Sequence, residues 1–366
     1  MLKNFPLKLN LRSAGRMRAA FVCGVLSTVI CSAVFGASPT AVGHDTLIVT
    51  STNGSGNQVV VFKLQTSESP SLSLVGQVPT GGSGGAPGTT AGSVQFSQGF
   101  GAVVNYGSDS VSQLLRTGDS ISVVRNIGLA SHCTSPVSTA LTEHQMFVVG
   151  ANCAESFLWP AGIMDGSVSL TDNSAAQIVT GQTWAAVTLT SGSVLQLPLT
   201  PWGSLAGTST QVSLPMDADS VPLGAAFWGD LLGFNPAHSV DSFALMNSSR
   251  DVFPVMGPAP AYPSNAPCWL AKGPGNLWYS GNSPGKAISI FFSDAQGGAF
   301  YKSVPLAGVP TDITVSPDRQ WLAVIYTANS QGYVAVFSID EYGDLTLAAT
   351  SNPIGVSGFA GVAFSQ

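Results

Sequence analysis

From residue 44 onward, short apolar segments alternate with turns rich in Gly, Ser, Pro and Asn, and inside most segments the apolar positions follow the period-two rhythm of strands. One segment type returns along the chain. VQFS (94–97) is followed by TALT (139–142), QIVT (177–180), AAFW (225–228), WLAK (269–272), ITVS (313–316) and VAFS (362–365), seven copies at a mean interval of about 45 residues. That period suits the blades of a β-propeller and not helical repeats.

Six copies lead through a short turn into a second apolar run, as in GAVVNY (101–106), WAAVTL (184–189) and WLAVIYT (321–327). A third run alternates with one outward face, as in VLQLPL and YVAVFSI, and a weaker fourth closes the unit, as in ISVV (121–124) or LTLAA (345–349). Four strands make one blade. VAFS ends the chain without a second run, whereas TLIVT (46–50), VVVFKL (59–64) and LSLVGQV (72–78) begin it without a first one. One blade is therefore expected to be shared between the two ends, which removes the open sheet edge that a linear array would leave. The expected fold is all-β: a seven-bladed β-propeller over residues 44–366, with four-stranded antiparallel blades and a ring closed by pairing the C-terminal strand with the N-terminal strands.

Composition agrees with this and adds limits. The 366 residues are 45% hydrophobic and only 9% charged, with 41 Gly and 23 Pro, too few charges and too many breakers for long surface helices. Five of the 13 basic residues (Lys3, Lys8, Arg12, Arg16, Arg18) precede residue 19 and none of the 19 acidic residues does, so the rest of the chain carries −11. A body of that charge disfavours nucleic acid and anionic membrane surfaces. The basic start leads into AAFVCGVLSTVICSAVFG, the order of an export signal over residues 1–37, with an uncleaved anchor as the alternative. Secreted or periplasmic placement follows, with no membrane contact beyond the leader.

The remaining cysteines are Cys133, Cys153 and Cys268, without the paired spacing of a zinc site. Cys133 falls at the start of one expected strand and Cys153 at the end of its antiparallel neighbour, so a Cys133–Cys153 disulfide is expected, leaving Cys268 as a buried thiol. An Asn recurs after the second strand (Asn53, Asn105, Asn152, Asn235, Asn282, Asn329), where it suits a strand-ending turn. The seven Trp are expected to pack between blades, with stacking platforms for sugars as the alternative. The run GGSGGAPGTTAG (81–92) reads as a flexible inter-blade loop, and Asn53 and Asn247 head glycosylation acceptor triplets.

The stretch DITVSPDRQWLAVIYTANSQGYVAVFSIDEYGDLTLAAT (312–350) resembles one blade of the lactonase-type seven-bladed propellers and related secreted propellers with a Tyr-Val-Thr-Asn repeat. The SPD turn, the run ending in Ala-Asn and the VAVFSID strand carry the likeness, which over 44–366 is one of repeat architecture. It implies a lactone hydrolase, in which a His or carboxylate activates water and a cation stabilises the oxyanion. The phosphosugar branch of that family implies arginines at the mouth, yet Arg116, Arg125, Arg250 and Arg319 map to outer strands or the opposite face, so phosphosugar hydrolysis is disfavoured.

If the first strand of each blade lines the channel, the loops entering it and those joining second to third strands share the binding face. That face is expected to collect Asp109, His132, Glu155, Asp172, Asp217, Asp219, His238, Asp241 and Lys286. His132 or His238 are the candidate bases, with Glu155 or Asp241 orienting them, and Asn235, Asp109 and Lys286 the candidate ligand contacts. Against these stand plain loop roles for each residue. Asp217 and Asp219 could help hold calcium, but a solvated acidic loop accounts for them, and no metal is expected. No cofactor is expected either: the chain lacks a GxSxG elbow, HExxH, a Walker sequence and a haem-attachment or vicinal-cysteine signature that a redox propeller would need. The reading favoured by the sequence is an exported binding or scaffold module for a small molecule, glycan or protein at the channel mouth. The alternative is a hydrolase of a non-phosphorylated lactone or related ester.

Overall fold

The computed structural model describes residues 46–86, 90–214, 221–237, 241–256, 266–283, 285–294, 297–355 and 359–365. The chain divides into two units, Met1–Gly43 and His44–Gln366. The proposed leader, His44, Asp217, Asp219 and His238 lie outside the described residues, as do the side chains of Asp241 and Ser242.

Within the second unit the chain forms seven four-stranded antiparallel sheets. Blade 1 holds β1 (Thr46–Ser51), β2 (Gln58–Gln65) and β3 (Ser71–Pro79), and blade 2 holds β4 (Val94–Ser97), β5 (Phe100–Asn105), β6 (Ser110–Thr117) and β7 (Ser120–Gly128). Blade 3 is β8 (Ser138–Leu141), β9 (Gln145–Val149), β10 (Cys153–Leu158) and β11 (Ile163–Ser169); blade 4 is β12 (Ala175–Thr180), β13 (Trp184–Leu189), β14 (Ser193–Pro198) and β15 (Thr210–Ser213). Blade 5 comprises β16 (Val221–Trp228), β17 (Leu231–Ala237), β18 (Asp241–Met246) and β19 (Val252–Met256). Blade 6 comprises β20 (Pro267–Lys272), β21 (Leu277–Asn282), β22 (Ala287–Asp294) and β23 (Gly297–Pro305). Blade 7 runs through β24 (Val309–Val315), β25 (Trp321–Ala328), β26 (Gln331–Ile339) and β27 (Leu345–Thr350), and β28 (Ala360–Ser365) completes blade 1 beside β1. The only helical turn among the described residues is Tyr106–Ser108.

Each blade buries both faces of its middle strands, which is why β13 (WAAVTL) is apolar and buried along its whole length. The seven apolar clusters are the contacts between successive blades. Leu47, Val49 and Val61 of blade 1, for example, meet Val94, Val103 and Leu114 of blade 2. Five of the tryptophans follow the packing expectation to different degrees: Trp159, Trp184, Trp269 and Trp278 are buried and Trp321 half-buried, whereas Trp202 and Trp228 are exposed.

The inner strands of blades 4 to 7 begin earlier than their apolar cores suggest. Their registers shift between Ala175 and Gln177, Pro222 and Ala225, Pro267 and Trp269, and Pro310 and Asp312. A bulge at each of these places lets the strand continue toward the mouth. Pro222, Pro267 and Pro310 occupy the entrances, where the missing N–H breaks no ladder.

The glycine-rich run differs from its expected flexibility over residues 81–86. Gly84 and Gly85 donate their N–H groups to Gly54 O and Asn53 O at 2.8 Å, and Ser83 O accepts from Gly107 N–H at 2.9 Å. A Cβ on Gly84 would lie 2.5 Å from the Asn53 carbonyl carbon, so only glycine permits this approach. The repeated asparagines divide as well. Asn53 and Asn329 adopt left-handed φ values of 48° and 49°, as turn residues do. Asn105 and Asn282 instead end their strands fully buried, donating to Ser112 Oγ at 2.7 Å and Ser289 Oγ at 2.6 Å.

Candidate functional site

Among the described residues, two cavities lie along the inner strands. The upper one, about 240 Å³, opens on the face formed by the loops that enter the inner strands and those joining second to third strands. Tyr106, Ser135, Asn173, Ser174, Thr190 and Trp269 supply its polar and aromatic lining. Below it a channel cavity of about 270 Å³ is lined by the inner strands down to Lys272. Ala91 and Trp269 line the upper cavity and Gly92 and Leu270 the lower, so the two divide at that level.

A hydrogen-bonded waist marks the division. Asp312 on β24 is buried, and its Oδ2 accepts the N–H groups of Gly92 (3.2 Å) and Val362 (3.1 Å) while Oδ1 accepts that of Ile313 (2.9 Å). Burial outweighs these three donors and pushes the carboxyl up to about 7. One side chain of blade 7 thus ties down the last strand of blade 1 and the entry to blade 2. Across the channel, Gln177 Oε1 accepts the Ala225 N–H at 2.6 Å. Neither residue was a sequence candidate. The available signal was a carboxylate at the entrance of an inner strand, where the other copies carry neutral residues.

No Asp, Glu, His, Lys or Arg is among the described residues that line the upper cavity. The expected charges serve its walls instead. Asp109, in left-handed conformation at the end of the Tyr106–Ser108 turn, accepts the Ser135 N–H at 2.7 Å. Asp172 accepts the Ser174 N–H at 2.8 Å and the Ser191 hydroxyl. Burial works to raise its pKa, and the Ser174 and Ser191 hydrogen bonds prevail and hold it below the usual carboxylate value. Trp269 is fixed by its indole N–H, which reaches Pro310 O at 2.9 Å and Ser283 Oγ at 3.2 Å.

The remaining candidates are dispersed. Asn235 is wholly buried within β17, and Lys286 is exposed on the β21–β22 turn with φ 48°. His238 and the side chain of Asp241 lie outside the described residues. Arg116 donates to Ser365 O and Arg125 to Pro160 O, Arg250 bonds Gln196, and Arg319 lies in the β24–β25 turn, so none of the four lines the upper cavity.

His132 and Glu155 do come together, at the outer side of blade 3. His132 is exposed on the β7–β8 loop, Glu155 is buried on β10, and Glu155 accepts the Ala130 N–H at 3.2 Å. Burial raises the Glu155 pKa, with the Ala130 N–H and the nearby His132 opposing it. Cys133 and Cys153 form a disulfide beside them with a Cα–Cα distance of 5.2 Å, and Cys268 is a buried free thiol bonded to Ala266 O. Among the described residues no group of His, Cys, Asp and Glu is arranged to hold a metal ion.

No protein-family model matches the sequence, and no curated protein matches it. Solved structures do. A candidate 6-phosphogluconolactonase of Bacteroides fragilis superposes with a TM-score of 0.67 at 12% identity, covering 90% of this chain and all of the other. The periplasmic gluconolactonase of Pseudomonas aeruginosa gives 0.63 at 14% identity over 88% and 99% of the two chains, and a Lactobacillus plantarum protein 0.65 at 16% over the same shares. At such identities the likeness is one of fold, and it agrees with the closed ring of seven four-stranded blades.

Proposed function

We propose that the protein is an exported binding propeller that takes a small, uncharged, hydroxyl-bearing molecule into the cavity at its mouth. The observation that carries this is the chemistry of the lining: hydroxyl, amide and indole groups, with the nearby carboxylates of Asp109 and Asp172 spent on backbone donors. Hydrolysis in that cavity would need a base within hydrogen-bond reach of the reacting atom, and the described lining supplies none. A volume of about 240 Å³ is below that of most drug-sized sites and matches a single sugar or lactone ring. The disulfide supports an oxidising compartment.

The test is thermal denaturation of the full chain with D-glucose, D-glucono-1,5-lactone and 6-phosphogluconate. A neutral ring is expected to raise the midpoint, since a ligand at about 100 times its Kd adds about 2.7 kcal/mol to stability. Thr190→Trp, which fills the cavity, is expected to remove that gain. Equal stabilisation by the phosphorylated compound, or a gain that survives Thr190→Trp, would overturn the reading.

A further inference from the structure

The His132–Glu155 pair has a third member that the cavity at the mouth does not use. Ser167 on β11 stands directly opposite Glu155 in the β10–β11 register, so the two side chains leave the sheet on the same face, about 5 Å apart at Cβ. His132 reaches Ser167, and its Nε2 shares a hydrogen bond with Ser167 Oγ at 3.3 Å. With Nε2 engaged by the hydroxyl, Nδ1 is the nitrogen left to carry the ring proton, while the Glu155 carboxylate accepts the Ala130 N–H, two residues before His132 on the same loop. The arrangement is a hydroxyl beside an imidazole, with a buried carboxyl holding the backbone of the loop that carries the imidazole.

The disulfide holds this arrangement together. Cys133 directly follows His132, and its partner Cys153 precedes Glu155 by two residues on the same strand, so the two side chains share a face of β10. The cross-link therefore pins the loop that carries the imidazole to the strand that carries the acid. Glu155 has no exposed surface, Ser167 is half-buried and His132 is exposed, which leaves the hydroxyl and the imidazole open to a substrate from solution.

We propose that Ser167, His132 and Glu155 form a second site, at the outer side of blade 3, that cleaves small uncharged carboxylic esters. Ser167 Oγ attacks the ester carbonyl carbon while its proton passes to His132 Nε2. The C–O bond to the alcohol then breaks, and the alcohol departs with that proton. Water, deprotonated by the same nitrogen, attacks the acyl carbon, releases the acid and restores the Ser167 hydroxyl. Glu155 is a positioning residue that acts through His132. The −11 charge of the chain beyond the leader disfavours anionic esters.

The experiment treats the oxidised full chain with a fluorophosphonate, in which phosphorus takes the place of the carbonyl carbon and fluoride leaves. The modified residue is located by peptide mass spectrometry, and hydrolysis of p-nitrophenyl acetate is followed in parallel. The adduct is expected on Ser167. Ser167→Ala and His132→Ala are expected to lower kcat/KM by about 10³-fold. Ser169→Ala, an exposed hydroxyl on the same strand, is expected to keep both labelling and rate, and Glu155→Gln to lower kcat at unchanged KM. Dithiothreitol is expected to suppress the rate and reoxidation to restore it. No adduct, an adduct elsewhere, or wild-type hydrolysis by Ser167→Ala would overturn the proposal. Ring binding at the mouth is read separately by thermal shift and is expected to survive Ser167→Ala, so the failure of either reading is distinguishable from that of the other.

Discussion

Phe364, two residues before the last, lies directly across from Ile48 near the start of the folded ring, and Ser365 lies across from Leu47. This pairing converts seven blades into a closed ring. Phe364 is buried among Ile48, Phe62, Ile325 and Val336 of blades 1 and 7. Phe364→Ala is expected to cost about 3–5 kcal/mol, read as a lower urea midpoint at an unchanged m value.

Asp312 gives the ring a pH dependence. Its folded-state pKa is raised to about 7 from an ordinary 3.8, so folding favours the protonated form. The contribution is full below pH 4 and is lost as pH rises toward 7. Unfolding in urea from pH 4 to 8 is expected to show that decline, and Asp312→Asn to remove it. The variant should be less stable than wild type at pH 5, because an amide leaves one of three backbone donors without an acceptor, and the gap should narrow by pH 8.

Lys272 acts in the opposite sense at the lower end of the channel. Its ammonium donates to the carbonyls of Gly273, Gly275 and Leu277 and lies 5.1 Å from the ring centroids of both Trp228 and Trp278. Burial, with Arg319 nearby, lowers its pKa to about 8. The folded state therefore binds the proton less well than the unfolded chain, and stability is expected to rise with pH between about 8 and 10.5. Lys272→Met should lack that rise in the same urea titration.

The disulfide closes a loop of 20 residues. Loop-closure entropy for that length corresponds to about 3 kcal/mol. Cys133→Ser with Cys153→Ser is expected to lower the unfolding free energy by that order and to make it insensitive to reductant. Equal stability of the oxidised wild type and the double variant would show that the cross-link restrains only its own loop.

The ring, its blade count and its closure are all readable from the chain, because every blade must bury two faces and so repeats the same apolar segments at one spacing. The Cys133–Cys153 disulfide forms as expected but not from the expected strand ends: Cys133 lies in the β7–β8 loop ahead of β8, and Cys153 opens β10 rather than ending β9, so two loops on one face of the blade bring them together. The bulges that advance Gln177 and Asp312 into the channel leave no periodic trace, because a bulge adds a single residue to a strand of variable length.

Which polar groups meet was decided only in three dimensions. Asp109 and Asp172 belong to mouth-facing loops, as the repeat implies, yet each turns to a backbone N–H close to it in space, since a carboxylate near donors bonds them before it faces an open cavity. Asp312 binds Gly92, 220 residues away, and Ser167 meets His132 across 35. The first contact depends on how far the sheets are rotated about the central axis, which comes from packing between blades, and the second on how the loop entering β8 folds back over its own sheet; no local pattern records either.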